Sequence, residues 1–432
     1  MQYYSINNRN TRVDFKTAAL GGQAPDGGLY FPEHIPSWEK GFVTDLKRLN
    51  KTEIGFRIMK PYVGGSMKDE ELFNVMAETL DFEFPLQKIH DNIYSLELFH
   101  GPTLAFKDLG ARFLSRCLGI FSQQHDAQTN ILVATSGDTG GAVADAFHGV
   151  KGTTVFILYP SGKVSPVQEK QLTTHGGNIH AFEVEGDFDD CQRMVKEAFR
   201  DQELMKMASF TSSNSINIAR WLSQQVYYAL AYAQWDEEQI PVVSVPSGNF
   251  GNICAGLTAR RSGLPIEHFI AACNANNAFT DFIKTGTFNQ KSSIATYSNA
   301  MDVGAPSNFI RILELFQHEY HSIKKVVSSQ SISDEETLQT IKTVFKDYQY
   351  ILDPHSAVAY ASLEKYLQLH EGKKGILLGT AHPIKFPDTV ENAIDKKLDP
   401  PTSVLRILTL VKKSIPISAD YQHFKKNLQK FL

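Results

Sequence analysis

The sequence predicts an α/β protein of mostly parallel sheets flanked by helices, with an additional N-terminal domain. Two observations point there. From about residue 94 onward, short apolar runs alternate with amphipathic helical runs, the rhythm of strand–helix–strand units. Several of the strand-like runs are apolar and β-branched nearly throughout, as strands covered on both faces are.

Residues 1–90 read as a first unit, in which turn clusters separate scattered helical signals, the clearest at 69–78. Strands are expected at 94–99, 131–134, 153–159, 179–184, 242–245, 269–273 and 375–378. After Asp108, the residues Leu109, Phe113, Leu114, Leu118 and Phe121 recur near every 3.6 positions and predict a helix with one buried face. Further helices are expected at 142–147, 165–174, 189–200, 216–233 and 253–260. Over 276–345 the rhythm fails, which predicts an insertion or subdomain there, with a helix start near Ser331-Ile-Ser-Asp-Glu-Glu336. The core is thus expected to span 91–390, followed by a C-terminal helical segment at 391–432.

Composition excludes more than it assigns. The chain has 432 residues, 42% hydrophobic and 21% charged, enough for two or three domains with a substantial core. A formal charge of −4 gives no electrostatic case for nucleic acid. No apolar run approaches membrane-spanning length, so no membrane association is expected. Cys117, Cys191, Cys254 and Cys273 are scattered without metal-ligand spacing, so no metal site is expected and reduced thiols are. The opening Met-Gln-Tyr-Tyr-Ser lacks the pattern of a secretory leader, and a cytoplasmic protein is expected.

Three motifs carry chemistry. Lys107 lies in His100-Gly-Pro-Thr-Leu-Ala-Phe-Lys-Asp-Leu-Gly-Ala-Arg112, at a strand-to-helix junction. The positive end of the helix dipole and partial burial both favour a neutral, nucleophilic amine there. Gly248-Asn249-Phe250-Gly251-Asn252 joins a strand to a helix and can turn its backbone N–H groups onto one anion. Its spacing matches neither nucleotide-binding glycine pattern. Ala134-Thr-Ser-Gly-Asp-Thr-Gly-Gly-Ala142 offers the hydroxyls of Thr135, Ser136 and Thr139 at a helix start, suited to a carboxylate. Singly, each has a plainer explanation: a solvated lysine, a tight turn, an N-cap cluster.

In this order the motifs resemble those of the fold-type II pyridoxal-phosphate (PLP) enzymes, the tryptophan synthase β-like fold. Gly21-Gly-Gln-Ala-Pro-Asp-Gly-Gly-Leu-Tyr-Phe-Pro-Glu33 narrows the resemblance to the threonine synthases, in their longer bacterial and fungal form, over residues 1 to about 387. The resemblance implies PLP held by Lys107, with Asp138, Gly248, Asn249, Phe250, Gly251, Asn252 and Thr380 around it. Thr380, in Gly379-Thr-Ala-His-Pro383, would meet the pyridine nitrogen, while His382 reads as a packed or solvated neighbour rather than a base. Asp138 stands where shorter relatives have asparagine, which leaves open which group there holds the proton. The implied substrate is O-phospho-L-homoserine, converted with water to L-threonine and phosphate by β,γ-replacement, with Lys107 as the base. Its phosphate demands a second anion site, for which Ser213-Asn-Ser-Ile-Asn-Ile-Ala-Arg220 supplies Asn214, Ser215 and the planar fork of Arg220. Thr135, Ser136 and Thr139 would receive the substrate carboxylate. The competing readings are a phospho-lyase or a serine/threonine dehydratase of the same fold, releasing a 2-oxo acid. A monomer or homodimer acting on a small molecule is expected.

Overall fold

The computed structural model describes residues 1–123 and 128–432. Among the described residues the strands form three sheets. In the smallest, near the N-terminus, Tyr3–Ser5 runs antiparallel to both Asn8–Val13 and Tyr30–Pro32. The largest orders its strands Val327–Ser331, His268–Cys273, Val242–Pro246, Gly375–Gly379, Ile93–Glu97 and Leu86–His90. Every neighbouring pair in it is parallel except the last. The third, parallel throughout, runs Ser414–Ser418, Ile179–Glu185, Thr153–Pro160, Thr129–Ala134, Ser209–Ser212. Thr153–Pro160 and Gly375–Gly379 are buried at every residue, which is why they appear in the sequence as continuous apolar runs.

The helix Lys107–Gln123 buries the face that its periodicity marks, and Leu109, Phe113, Leu114, Leu118 and Phe121 are fully enclosed. Phe15, from the N-terminal unit, meets the Phe113 and Phe121 rings at centroid distances of 6.3 Å, so one apolar cluster joins that unit to the helix carrying Lys107. The helix expected near Ser331 starts at Asp334, with Ser333 as N-cap and Glu336 closing a capping box.

Three expectations are corrected. The helix expected at 216–233 is two, Ile218–Leu222 and Gln225–Ala233. Between them Ser223 Oγ donates to Ala219 O at 2.9 Å and Gln224 Nε2 to Arg220 O at 2.8 Å, competing with the N–H ladder. Segment 276–345 supplies the edge strand Val327–Ser331 of the largest sheet. Segment 391–432, expected to be helical, contains Ser414–Ser418, which extends the five-stranded sheet.

Candidate functional site

Lys107 opens its helix from a strained approach: Leu104, three residues before it, holds φ at +58°. A short antiparallel pairing fixes the approach. Phe106 N–H donates to Thr380 O at 2.9 Å, His382 N–H donates to Leu104 O at 3.1 Å, and Ala105 bridges Ala381. Lys107 and the buried Thr380, far apart in sequence, therefore sit on one backbone ladder. Lys107 is partly exposed and its Nζ makes no hydrogen bond to the described residues. Loss of water, helped by the nearby Arg220 and Lys385 charges and opposed by Asp138, brings its amine down to about 8.

Asp138 is buried and begins the helix Asp138–Phe147 after Gly137, at φ +134°. Its Oδ1 lies 2.7 Å from the Lys385 ammonium and accepts from Gln168 Nε2 at 2.9 Å. Burial alone would raise this carboxyl; Lys385 and Lys107 outweigh it and hold Asp138 well below the usual carboxylate range. Thr135 is buried, and its Oγ1 accepts from the N–H groups of Gly137 and Gly140 at 3.0 and 2.9 Å, which leaves its hydroxyl proton as the group it has to give. Ser136 and Thr139 remain partly exposed, with hydroxyls unused by the described residues.

In the glycine loop Phe250 takes a left-handed conformation (φ +61°) and caps the helix Gly251–Ser262 without a side-chain hydrogen bond, leaving the first N–H groups open. Asn252 is buried; its Oδ1 accepts from Tyr228 at 2.8 Å, but its Nδ2 has no partner among the described residues. An uncapped helix start with an orphaned amide donor beside it fits a phosphate. The glycines serve packing as well as approach. A Cβ on Gly248 would lie 2.6 Å from Met301 Cα, and one on Gly251 3.3 Å from Asn308 Nδ2.

A second set of donors gathers in the segment 213–220. Arg220 is buried, without a carboxylate in salt-bridge range among the described residues. Its Nη1 donates to Ser213 O at 2.5 Å, and its Nε is orphaned. Burial brings its guanidinium down to about 10. Gly110, in the first turn of the Lys107 helix, makes room for it: a Cβ there would lie 3.5 Å from Arg220 Nε. Ser215 Oγ accepts from Asn249 Nδ2 at 2.8 Å and from Asn308 Nδ2 at 3.1 Å. Two donated bonds leave the hydroxyl proton as the one group Ser215 has to give, and it has no acceptor among the described residues. Asn214 Oδ1 is buried and unpartnered among the described residues. Asn249 thus belongs to this second set, its Oδ1 also accepting from Ser307 N–H at 2.5 Å.

Four residues here escaped the sequence reading: Lys385, Gln168, Asn308 and Arg311. Arg311 is fully buried over the Trp221 ring at 4.6 Å and donates to Tyr30 O, Ser215 O, Ile216 O and Asn308 Oδ1. Asn308 and Arg311 fall in the segment whose rhythm fails, and nothing in the local sequence marks Lys385 or Gln168. His382 is packed edge-on to Phe99, accepts from Ile384 N–H through Nδ1, and is held by burial at about 4, so it stays neutral.

Family models match along most of the chain: a threonine synthase N terminus over residues 2–80, a pyridoxal-phosphate dependent enzyme over 80–379, and a threonine synthase C-terminal region over 356–427. A threonine synthase of Haemophilus influenzae is 42% identical over 432 residues, covering all of both chains. The crystal structure of an Escherichia coli threonine synthase superposes with a TM-score of 0.93 at 40% identity over the whole of both chains. A PLP-bound threonine synthase from Brucella melitensis gives 0.94 at 33% identity, covering 100% of this chain and 99% of the other.

Proposed function

The chain belongs to the threonine synthase family of pyridoxal-phosphate enzymes, and from that premise we propose that Lys107 and the donors around it convert O-phospho-L-homoserine and water to L-threonine and phosphate. Lys107 is the residue that would hold PLP. The open N–H groups after Phe250 and the Nδ2 of Asn252 would take the coenzyme's phosphate, and Thr380 would serve its ring nitrogen. When bound, PLP supplies the electron sink for negative charge at the substrate's Cα. The free Lys107 amine takes the Cα proton, serves as the default base at Cβ, and returns protons at Cγ and Cα. Ser136, Thr139 and the N–H groups of the Asp138–Phe147 helix receive the substrate carboxylate. The substrate phosphate is held by Arg220, Ser215 and Asn214, with Asn249 orienting Ser215.

One observation carries this reading: Arg220 is buried beside the Lys107 helix with no carboxylate in salt-bridge range among the described residues. A buried cation with an unused donor and no counter-charge is a group that an anionic ligand would complete. The test is to incubate the purified chain with PLP and O-phosphohomoserine and to measure threonine, phosphate and 2-oxobutyrate together. Threonine and phosphate in equal amounts are expected; 2-oxobutyrate as the main product would give the site to a phospho-lyase. No helix among the described residues is long and apolar enough to cross a membrane. The four cysteines are free and buried, which supports action in the reducing cytoplasm.

A further inference from the structure

We propose that Lys385 is a positioning residue for Lys107: by pairing with Asp138 it prevents that buried carboxylate from holding the reactive amine in its protonated form. Lys385 is fully enclosed, and its ammonium is fixed at 2.7 Å from Asp138 Oδ1 and 2.8 Å from Thr103 O. Both anchors are themselves held. Thr103 O also accepts from Gln171 Nε2 at 3.0 Å, and Asp138 Oδ1 also accepts from Gln168 Nε2 at 2.9 Å. Lys385 ends the short helical turn Pro383–Lys385, which begins where the ladder joining 380–382 to 104–106 stops. Lys107 leaves the other strand of that ladder. One rigid pairing thus delivers two lysines toward a single carboxylate.

Contact decides between them. Lys385 touches Asp138 directly, whereas Lys107 feels it electrostatically and makes no hydrogen bond to the described residues. A lone buried carboxylate near Lys107 would stabilise the ammonium and suppress the amine's nucleophilicity. Paired with Lys385 it presents a nearly neutral dipole instead. The charged and titratable groups that face Lys107 are Asp138, Arg220 and Lys385. Lys385 is faced by Asp138, Lys107, Asp108 and His382. His382 is neutral, and Asp108, raised by burial to about 6, accepts from Thr103 N–H at 2.9 Å.

The inference rests on Lys107 being the reactive amine, an assignment that fails on its own if Lys107→Ala still holds the coenzyme covalently. The experiment measures the rate of acylation of Lys107 against pH in the full-length chain freed of PLP, read by peptide mass spectrometry. The pH midpoint of the bound coenzyme's absorbance in the holoenzyme is a second readout. In Lys385→Met the acylation midpoint is expected to rise by about one unit or more. In the double variant Lys385→Met/Asp138→Asn it is expected to return close to the wild-type value, because the pair is then removed as a unit. An unchanged midpoint in folded Lys385→Met, or a double variant as displaced as the single one, would overturn the proposal. If Lys385→Met is insoluble, Asp138→Asn alone decides: its midpoint is expected at or below that of wild type, and a rise refutes the pairing. A merely structural Lys385 would lower activity without moving any midpoint.

Discussion

At the level of single side chains, the site is defined by groups left incomplete. Arg220 Nε and Asn252 Nδ2 are buried donors without acceptors among the described residues, a state that costs about 1–3 kcal/mol per group. For Arg220 this gives a prediction of opposite signs. Arg220→Met removes an unpaired buried cation, so the ligand-free protein should melt no lower than wild type, while KM for O-phosphohomoserine rises by about 100-fold, or ~3 kcal/mol of lost charge-assisted bonding. Added phosphate should raise the melting temperature of wild type but not of the variant. A variant that melts lower yet keeps its KM would make Arg220 structural. Lys107 carries the pH dependence. Its amine is lowered from about 10.5 to about 8, so the neutral form gains as pH rises through 8. The rate of PLP capture by the coenzyme-free chain should therefore climb about fivefold from pH 7 to pH 8 and level off above 9. A flat profile over that range would show that another step or another amine governs capture.

Elements, rather than residues, set how closely the loops approach, and here the glycines give the sharpest test. A Cβ at Gly248 meets backbone, Met301 Cα at 2.6 Å, and backbone cannot rotate away as a side chain would. Gly248→Ala is expected to destabilise the fold by about 1–3 kcal/mol and to weaken PLP binding at least tenfold, measured by melting and by coenzyme titration. The same scale shows what the chain's pattern makes legible. The strands read correctly from sequence, 94–99, 131–134, 153–159, 179–184, 242–245, 269–273 and 375–378, are the interior strands of the two larger sheets. The strands missed are their edges: Leu86–His90, Ser209–Ser212, Val327–Ser331 and Ser414–Ser418. An interior strand is covered on both faces and must be apolar, whereas an edge strand is free to be polar. Ser414–Ser418 even carries Pro416, tolerable only where one side of the strand has no neighbour to bond. The site follows the same rule. Lys107, the glycine loop and Arg220 stand at junctions with recognisable composition, whereas Lys385 and Arg311 are made functional by long-range partners that no local pattern records.

Across the molecule, Arg311 explains why the N-terminal signature and the second anion site occur together. Its guanidinium joins Tyr30 O, in the strand that follows the Asp-Gly-Gly-Leu turn, to Ser215 O and Ile216 O, and to Asn308, which also donates to Ser215 Oγ. Every nitrogen of the fork has an acceptor, and the face lies on Trp221, in the helix that carries Arg220. Since its partners are carbonyls and one amide rather than a carboxylate, the charge is held by geometry alone; burial brings it down to about 9. Arg311→Met would keep the volume but strand three carbonyls and release the Ser215 loop from the N-terminal sheet. The expected result is a loss of about 3–5 kcal/mol in stability, with KM for O-phosphohomoserine raised and the absorbance of bound PLP unchanged, because the coenzyme's own loop contains none of Arg311's partners. Arg311→Lys should recover little of either, since one ammonium cannot span three directions. A variant that loses stability while keeping wild-type KM would confine Arg311 to the fold. Equal losses of PLP and substrate binding would mean that the two anion sites move as one.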